Sequence, residues 1–168
     1  MIKIYDTLTR SLREFVPIHE NTVNMYVCGP TVYNYIHVGN GRSAIAFDTI
    51  RRYFEYRGYT VNYISNFTDV DDKIIKAAAK AGMTTKALSD KFIAAFKEDV
   101  AALGVKPATE NPRVIDYMQD IIDFVQILVD KGFAYESSGD VYFRVRKSDN
   151  YAALANKTLE ELEIGAGG

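Results

Sequence analysis

VNMYVCGPTVYNYIHVGNGRSAIAFDTIRRYFEYRGYTVNYI, residues 23–64, decides the fold. Residues 23–28 are β-branched, aromatic or otherwise apolar except Asn24, and Gly29-Pro30 stops them, so they read as a buried strand. Residues 43–57 place Phe47, Ile50, Phe54 and Arg57 at helical spacing, with Ala46 and Tyr53 beside them and Gly58 as a stop. Residues 60–64 read as a second strand, and a glycine-containing loop joins the first strand to the helix. Strand, loop, helix, turn and strand make one βαβ unit, for which a parallel pair and a right-handed crossover are expected. Ligands of such sheets bind beyond the carboxyl ends of the strands. Two stretches lie there: Cys28 to Arg42, and Asn66-Phe67-Thr68-Asp69.

Outward from this unit the chain is mostly helical. On the N-terminal side stands a short alternating piece, Ile2 and Ile4, then a polar, turn-rich stretch in which His19 reads as a surface residue. On the C-terminal side, 72–81 reads as a helix ending at Gly82, and 85–103 as an amphipathic helix with Thr84 as N-cap and Gly104 as stop. Asp69, Asp71 and Asp72 read as helix-capping acids rather than a metal cluster. Pro107 and Pro112 bound a linker. Residues 113–131 are expected to form one long helix with Ile115, Met118, Ile122, Val125 and Val129 as its core stripe. Residues 133–146 read as a β-hairpin turning at Ser138-Gly139, and the chain closes in a loop, Ala166-Gly167-Gly168.

Composition excludes whole classes. The 168 residues suffice for about one domain with its own core. With 48% hydrophobic and 25% charged residues, neither a disordered nor a collagen-like chain fits. No apolar run is long enough to cross a membrane, and MIKIYDTLTR lacks a signal peptide's apolar stretch. One cysteine, Cys28, allows no internal disulfide, so a cytoplasmic protein is expected. Net charge is −2, and residues 1–72, with seven basic and eight acidic side chains, carry half of it. A dedicated DNA-binding module is therefore not expected.

The loop from Cys28 to Arg42 carries the chemistry. It runs from a strand end to a helix start, where backbone N–H groups and the helix dipole attract anions. Gly39 and Gly41 would let a flat or anionic ligand approach the backbone, and His37 and Asn40 offer donors to phosphate oxygens. Arg42 reads equally as a brace of the loop or a nucleotide contact. The spacing fits neither a P-loop nor G-x-G-x-x-G.

What it fits is the HIGH signature of class I aminoacyl-tRNA synthetases, written here His37-Val38-Gly39-Asn40. Asn40 in the last place keeps a hydrogen-bond donor and loses the ring. The wider context is more specific: MYVCGPTVYNYIHVGNGRSAIAFD (25–48), NFTDVDDKIIKAA (66–78), IYDTLTR (4–10) and GDVYFRV (139–145) resemble the cysteinyl-tRNA synthetase family. The resemblance covers essentially the whole chain. It implies an α/β fold in which residues 1–105 are the first half of a Rossmann-like catalytic domain and 106–168 belong to a helical and hairpin connective-peptide insertion.

The resemblance also implies roles. His37 and Asn40 would contact ATP phosphates and stabilise the transition state, Gly39 would lie beneath adenine, and Gly41 would belong to the same ATP site. Gly29, Thr31 and Thr68 would form the amino-acid pocket, and Cys28 would ligate zinc. The implied reaction is attack of the cysteine carboxylate on the α-phosphate of Mg2+-bound ATP, then transfer to tRNA(Cys), with no part played by a membrane or DNA. Zinc has a physical rationale, because a pocket alone separates serine from cysteine poorly while zinc prefers sulfur. The other zinc ligands, the KMSKS loop and the anticodon-binding region of the family have no counterpart in these residues. Two other readings share the pattern: a cysteine ligase of mycothiol biosynthesis, and a short non-catalytic paralogue binding ATP or RNA.

Overall fold

Strand β3 (Thr22–Val27) pairs in parallel with β4 (Thr60–Ser65), Val23 opposite Val61 and Val27 opposite Ser65, in a computed structural model that describes residues 1–159 and 161. Val23, Val27 and Val61 are buried. Helix α1 (Val38–Tyr56) connects the two strands, so the expected βαβ unit is present. Arg57 caps the helix and Gly58, at φ 89°, turns the chain into β4.

The helix starts five residues earlier than its periodicity predicts, at Val38 rather than 43. Gly39 and Gly41 depress helix propensity, which hid the first turn. A capping box restores it. The Gly39 N–H donates to His37 Nδ1 at 3.0 Å, and the His37 N–H donates to Asn40 Oδ1 at 3.2 Å.

The stretch read as a linker is a third, strand-like row beside β4. Thr109 N donates to Tyr63 O at 2.7 Å, Ser65 N to Glu110 O at 3.1 Å, and Phe67 N to Pro112 O at 2.8 Å. Pro112 lacks an N–H but its carbonyl still accepts, so an edge position suits it. Two basic residues of α1 hold the approach to this row: Arg51 donates to Pro107 O at 2.6 Å and Arg52 to Gly104 O at 2.8 Å. Asp48, buried on α1, accepts from Arg52 Nε at 2.6 Å and Lys106 N at 3.1 Å. Glu55 pairs with Arg51 and Lys106, and the Lys106 hydrogen bond holds its carboxyl below the usual value.

Helices α2 (Asp72–Ala81) and α3 (Thr85–Ala102) build the core under the site loops. Asp71 caps α2 by accepting from Lys73 N at 2.7 Å, as expected, and Thr84 caps α3 by accepting from Ala87 N at 3.1 Å. Asp69 is no cap; it is buried and paired elsewhere. The core joins Ile74 and Ala78 of α2, Leu88 and Phe92 of α3, and two loop residues, Val32 and Phe67, which are 2% and 1% exposed. Both strand-end loops are thus anchored by apolar burial worth about 2 kcal/mol per large side chain.

Pro17–Met118 forms one compact unit; Met1–Val16 and the residues from Gln119 onward form a second. The second unit begins with an antiparallel hairpin: β1 (Lys3–Asp6) lies on the alternating piece at Ile2 and Ile4, and its partner β2 (Ser11–Glu14) lies in the stretch that reads as turns. Its tip is held by Asp6, which accepts from Leu8 N at 3.1 Å and Thr9 Oγ1 at 2.8 Å. The expected long helix is a 3-10 turn, Val114–Tyr117, followed by α4 (Met118–Asp130). Its stripe is not core: Ile115 and Ile122 are exposed, and no residue of α4 is buried. Strands β5 (Ala134–Ser137) and β6 (Asp140–Phe143) form the expected hairpin, with Ser138 at φ 56° and Gly139 at φ 87° matching a type I′ turn. The terminal loop expected at Ala166–Gly168 lies outside the described residues.

Candidate active site

The loops beyond β3 and β4 join like a continued ladder. Thr68 N donates to Pro30 O and Val32 N donates to Thr68 O, both at 3.1 Å, so Thr31 and Thr68 lie opposite each other. Gly29 N donates to Asn66 Oδ1 at 3.0 Å, and Asn66 Nδ2 donates to Thr68 Oγ1 at 3.3 Å. Gly29 is irreplaceable on steric grounds, since a Cβ there would lie 1.6 Å from Asn66 O. Gly29, Thr31 and Thr68 are therefore brought together, with Asn66, which the sequence reading did not single out, as the clasp.

His37 stands at the start of α1. Because Nδ1 accepts from Gly39, the neutral ring carries its proton on Nε2 and presents that nitrogen as a donor. The capping box satisfies the His37 and Gly39 N–H groups, and Asn40 N donates to His37 O at 2.9 Å. The exposed Val38 has the N–H left for a ligand. The expected row of free backbone donors is thus largely replaced by one imidazole N–H and the Asn40 amide N–H2. No acidic residue sits in the first turn, so nothing there repels an anion.

The two glycines work on the protein as well. A Cβ on Gly39 would lie 2.8 Å from His37 Cε1, so this glycine makes room for the capping imidazole. Gly41 is buried, and a Cβ there would meet Leu103 Cδ1 at 3.2 Å, so it lets α1 pack against the end of α3.

Thr31, His37 and Asn40 line one cavity of about 370 Å³ together with Tyr33, Asn34 and Lys73. An ammonium and an imidazole face this space and no carboxylate lines it. Lys73, whose Nζ lies 5.8 Å from the centre of the Tyr33 ring, is a cation the sequence reading passed over. Its position in NFTDVDDK, two residues after the capping Asp71, is the available signal. Cys28, Gly29 and Asn40 line a smaller adjoining cavity of about 100 Å³ with Ser43 and Tyr63. Asn40 therefore belongs to both. Thr68 lines neither and acts on Thr31 through the backbone. The Arg42 side chain makes no hydrogen bond or ion pair among the described residues, which leaves its bracing role without a partner.

Cys28 is exposed and free, its Sγ 3.8 Å from Gly29 O. Among the described residues no three His, Cys, Asp or Glu side chains cluster as a metal site. No helix among them is long and apolar enough to cross a membrane.

The chain is similar in sequence and in fold to known proteins. The chain is 99% identical over its whole length to a cysteine–tRNA ligase of Streptococcus mutans serotype c, and 80% identical to one of Streptococcus thermophilus. It spans 38% of the length of each. Among solved structures, a Mycobacterium tuberculosis methionyl-tRNA synthetase bound by methionyl-adenylate superposes with a TM-score of 0.62 at 22% identity, over 68% of this chain and 23% of that one. The description "tRNA synthetases class I (C) catalytic domain" matches residues 14–168. With the α/β fold, the His37–Asn40 turn and that match together, the chain belongs to the family of class I (C) tRNA synthetase catalytic domains.

Proposed function

We propose that this chain is the N-terminal part of a cytoplasmic cysteine–tRNA ligase and supplies half of its adenylation site. Residues 1–105 would serve as the nucleotide-binding half and 106–168 as the start of the connective insertion. The carrying observation is the carboxylate-free cavity of His37, Asn40, Thr31 and Lys73 opening beside Cys28. The relatives' name, cysteine–tRNA ligase, supports cysteine and tRNA(Cys) as substrates; Mg2+-bound ATP is the third substrate of the adenylation reading.

In this reading His37 Nε2–H and the Asn40 amide donate to phosphate oxygens while Lys73 adds charge. The cysteine carboxylate oxygen bonds the α-phosphorus as the α–β bridging oxygen departs with pyrophosphate. No side chain becomes covalently attached. Catalysis is positioning plus stabilisation of charge that develops on the phosphate. In this reading Gly39 and Gly41 would serve the nucleotide site indirectly, through the capping imidazole and the helix packing they permit. The pocket walls, Gly29 and Thr31, held in place by Thr68, would orient the amino acid.

Cys28 fits zinc as one soft ligand: its thiol is exposed, free and at the rim of the smaller cavity. The remaining ligands would come from outside this chain. Bound zinc would supply preference for a thiolate over a hydroxyl. The test is cysteine-dependent ATP–pyrophosphate exchange by the full-length protein, with zinc measured by atomic absorption. Cys28→Ser should lose zinc and cysteine-over-serine selectivity together. Normal zinc content in that variant would remove Cys28 from the ligand set, and no exchange by the unaltered protein would overturn the function.

A further inference from the structure

Loop 66–69 is bonded alternately to its two neighbours. Asn66 and Thr68 serve the 29–32 loop on one side, the pocket side. Phe67 and Asp69 serve residues 112–115 on the other: Phe67 N donates to Pro112 O at 2.8 Å and Val114 N to Phe67 O at 3.3 Å. Asp69 ends this alternation with its side chain. Its carboxylate, 1% exposed, accepts from Arg113 Nε at 2.7 Å and from Ile115 N at 3.1 Å. The other arm of the guanidinium donates to Asp90 Oδ1 on α3 at 2.7 Å. One planar fork therefore fastens the loop to a helix of the core. A lysine ammonium, a point charge on a flexible stem, holds two carboxylates in fixed directions poorly.

We propose that Arg113 is a positioning residue for the amino-acid pocket. It fixes Asp69, which fixes the neighbouring Thr68, whose two backbone bonds to Pro30 and Val32 set the wall formed by Gly29 and Thr31. Arg113 itself lines neither cavity of the site, and the nucleotide contacts, His37 and Asn40, are set by their own capping box. Its loss therefore acts on cysteine before it acts on ATP. The inference rests on the adenylation reading above.

The experiment is steady-state ATP–pyrophosphate exchange by the full-length protein carrying Arg113→Gln, Arg113→Lys or Asp90→Asn, with thermal melts of each. Arg113→Gln should raise KM for cysteine about tenfold, with kcat and KM for ATP within about twofold of the unaltered protein. Arg113→Lys should fall between, because an ammonium can still reach Asp69. Asp90→Asn leaves Asp69 paired and should raise KM for cysteine less than Arg113→Gln does. An unchanged KM for cysteine in a well-folded Arg113→Gln overturns the proposal. So does a loss spread equally over cysteine, ATP and kcat that follows the fall in melting temperature. Should Arg113→Gln not fold, Arg113→Lys decides alone: a raised KM for cysteine at normal KM for ATP supports the role, and an unchanged one ends it. Absence of exchange in the unaltered protein overturns the adenylation reading and this inference together.

Discussion

His37 commits Nδ1 to the Gly39 N–H and leaves Nε2 for a ligand, so one ring both starts the helix and supplies a donor. The two roles can be separated by substitution. Asparagine is a good N-cap, so His37→Asn keeps the turn while removing the imidazole. In the full-length protein it should leave stability within about 0.5 kcal/mol and lower the exchange rate by about 10²–10³-fold, the usual effect of losing one preorganised donor. His37→Ala should lose the same activity and a further ~1 kcal/mol of stability. Chemical denaturation and exchange kinetics on the pair check this. Equal stability losses in both would show that the imidazole's cap cannot be replaced; full activity in His37→Asn would remove it from the chemistry. Asn40 explains a departure at the same scale. In the place where the family signature carries a second histidine, its Oδ1 closes the capping box, and Asn40 lines both cavities.

At the scale of elements, α1 is locked to the row beside β4 by charge as well as packing. Glu55 lies between Arg51 and Lys106, and the Lys106 hydrogen bond is the chief cause of its lowered pKa, with Arg51 acting in the same direction. The ordinary value is 4.5. A carboxylate whose pKa is lower folded than unfolded adds stability above the unfolded value, and that stability disappears as pH falls through the folded one. Glu55→Gln should therefore be less stable than the unaltered protein at pH 7, by about 0.5–1 kcal/mol for a partly exposed pair. The gap should close below pH 4.5 as the carboxylate titrates. Urea melts at a series of pH values check it, and a gap that persists unchanged into acid would show that packing, not charge, holds the contact. Legibility also divides by element. The βαβ unit, the caps at Asp71 and Thr84 and the Ser138-Gly139 turn follow from local patterns. The start of α1 did not, because its capping box uses His and Asn in place of Ser or Thr and Glu. Residues 109–114 did not either, because their pairing depends on partners some 45 residues away and two prolines disguise an extended row as a linker. Asp69 and Arg113 were missed for the same reason: each looks like a helix-end residue until the fold places them 2.7 Å apart.

At the scale of the whole molecule, a net charge of −2 hides a cavity lined by the Lys73 ammonium and the His37 imidazole without a carboxylate, while Asp48, Glu55, Asp69 and Asp90 are tied to Arg51, Arg52, Lys106 and Arg113 elsewhere. Position-specific pairing, not composition, makes that site, and the motif in the sequence was its only legible trace. The site is also one-sided. β3 pairs with β4 along one edge, and among the described residues no strand pairs with the other. Cys28 at its end belongs to no group of three His, Cys, Asp or Glu side chains among those residues. A zinc site of about four ligands and a phosphate site closed from both sides both require atoms that these elements do not supply. Residues 1–168 alone should therefore show no cysteine-dependent ATP–pyrophosphate exchange above background, whereas the full-length protein shows it. Circular dichroism on the isolated piece would establish that helices α1 to α4 have formed. Exchange by a folded 1–168 piece would place the complete adenylation machinery within this chain and refute the division of the site proposed here.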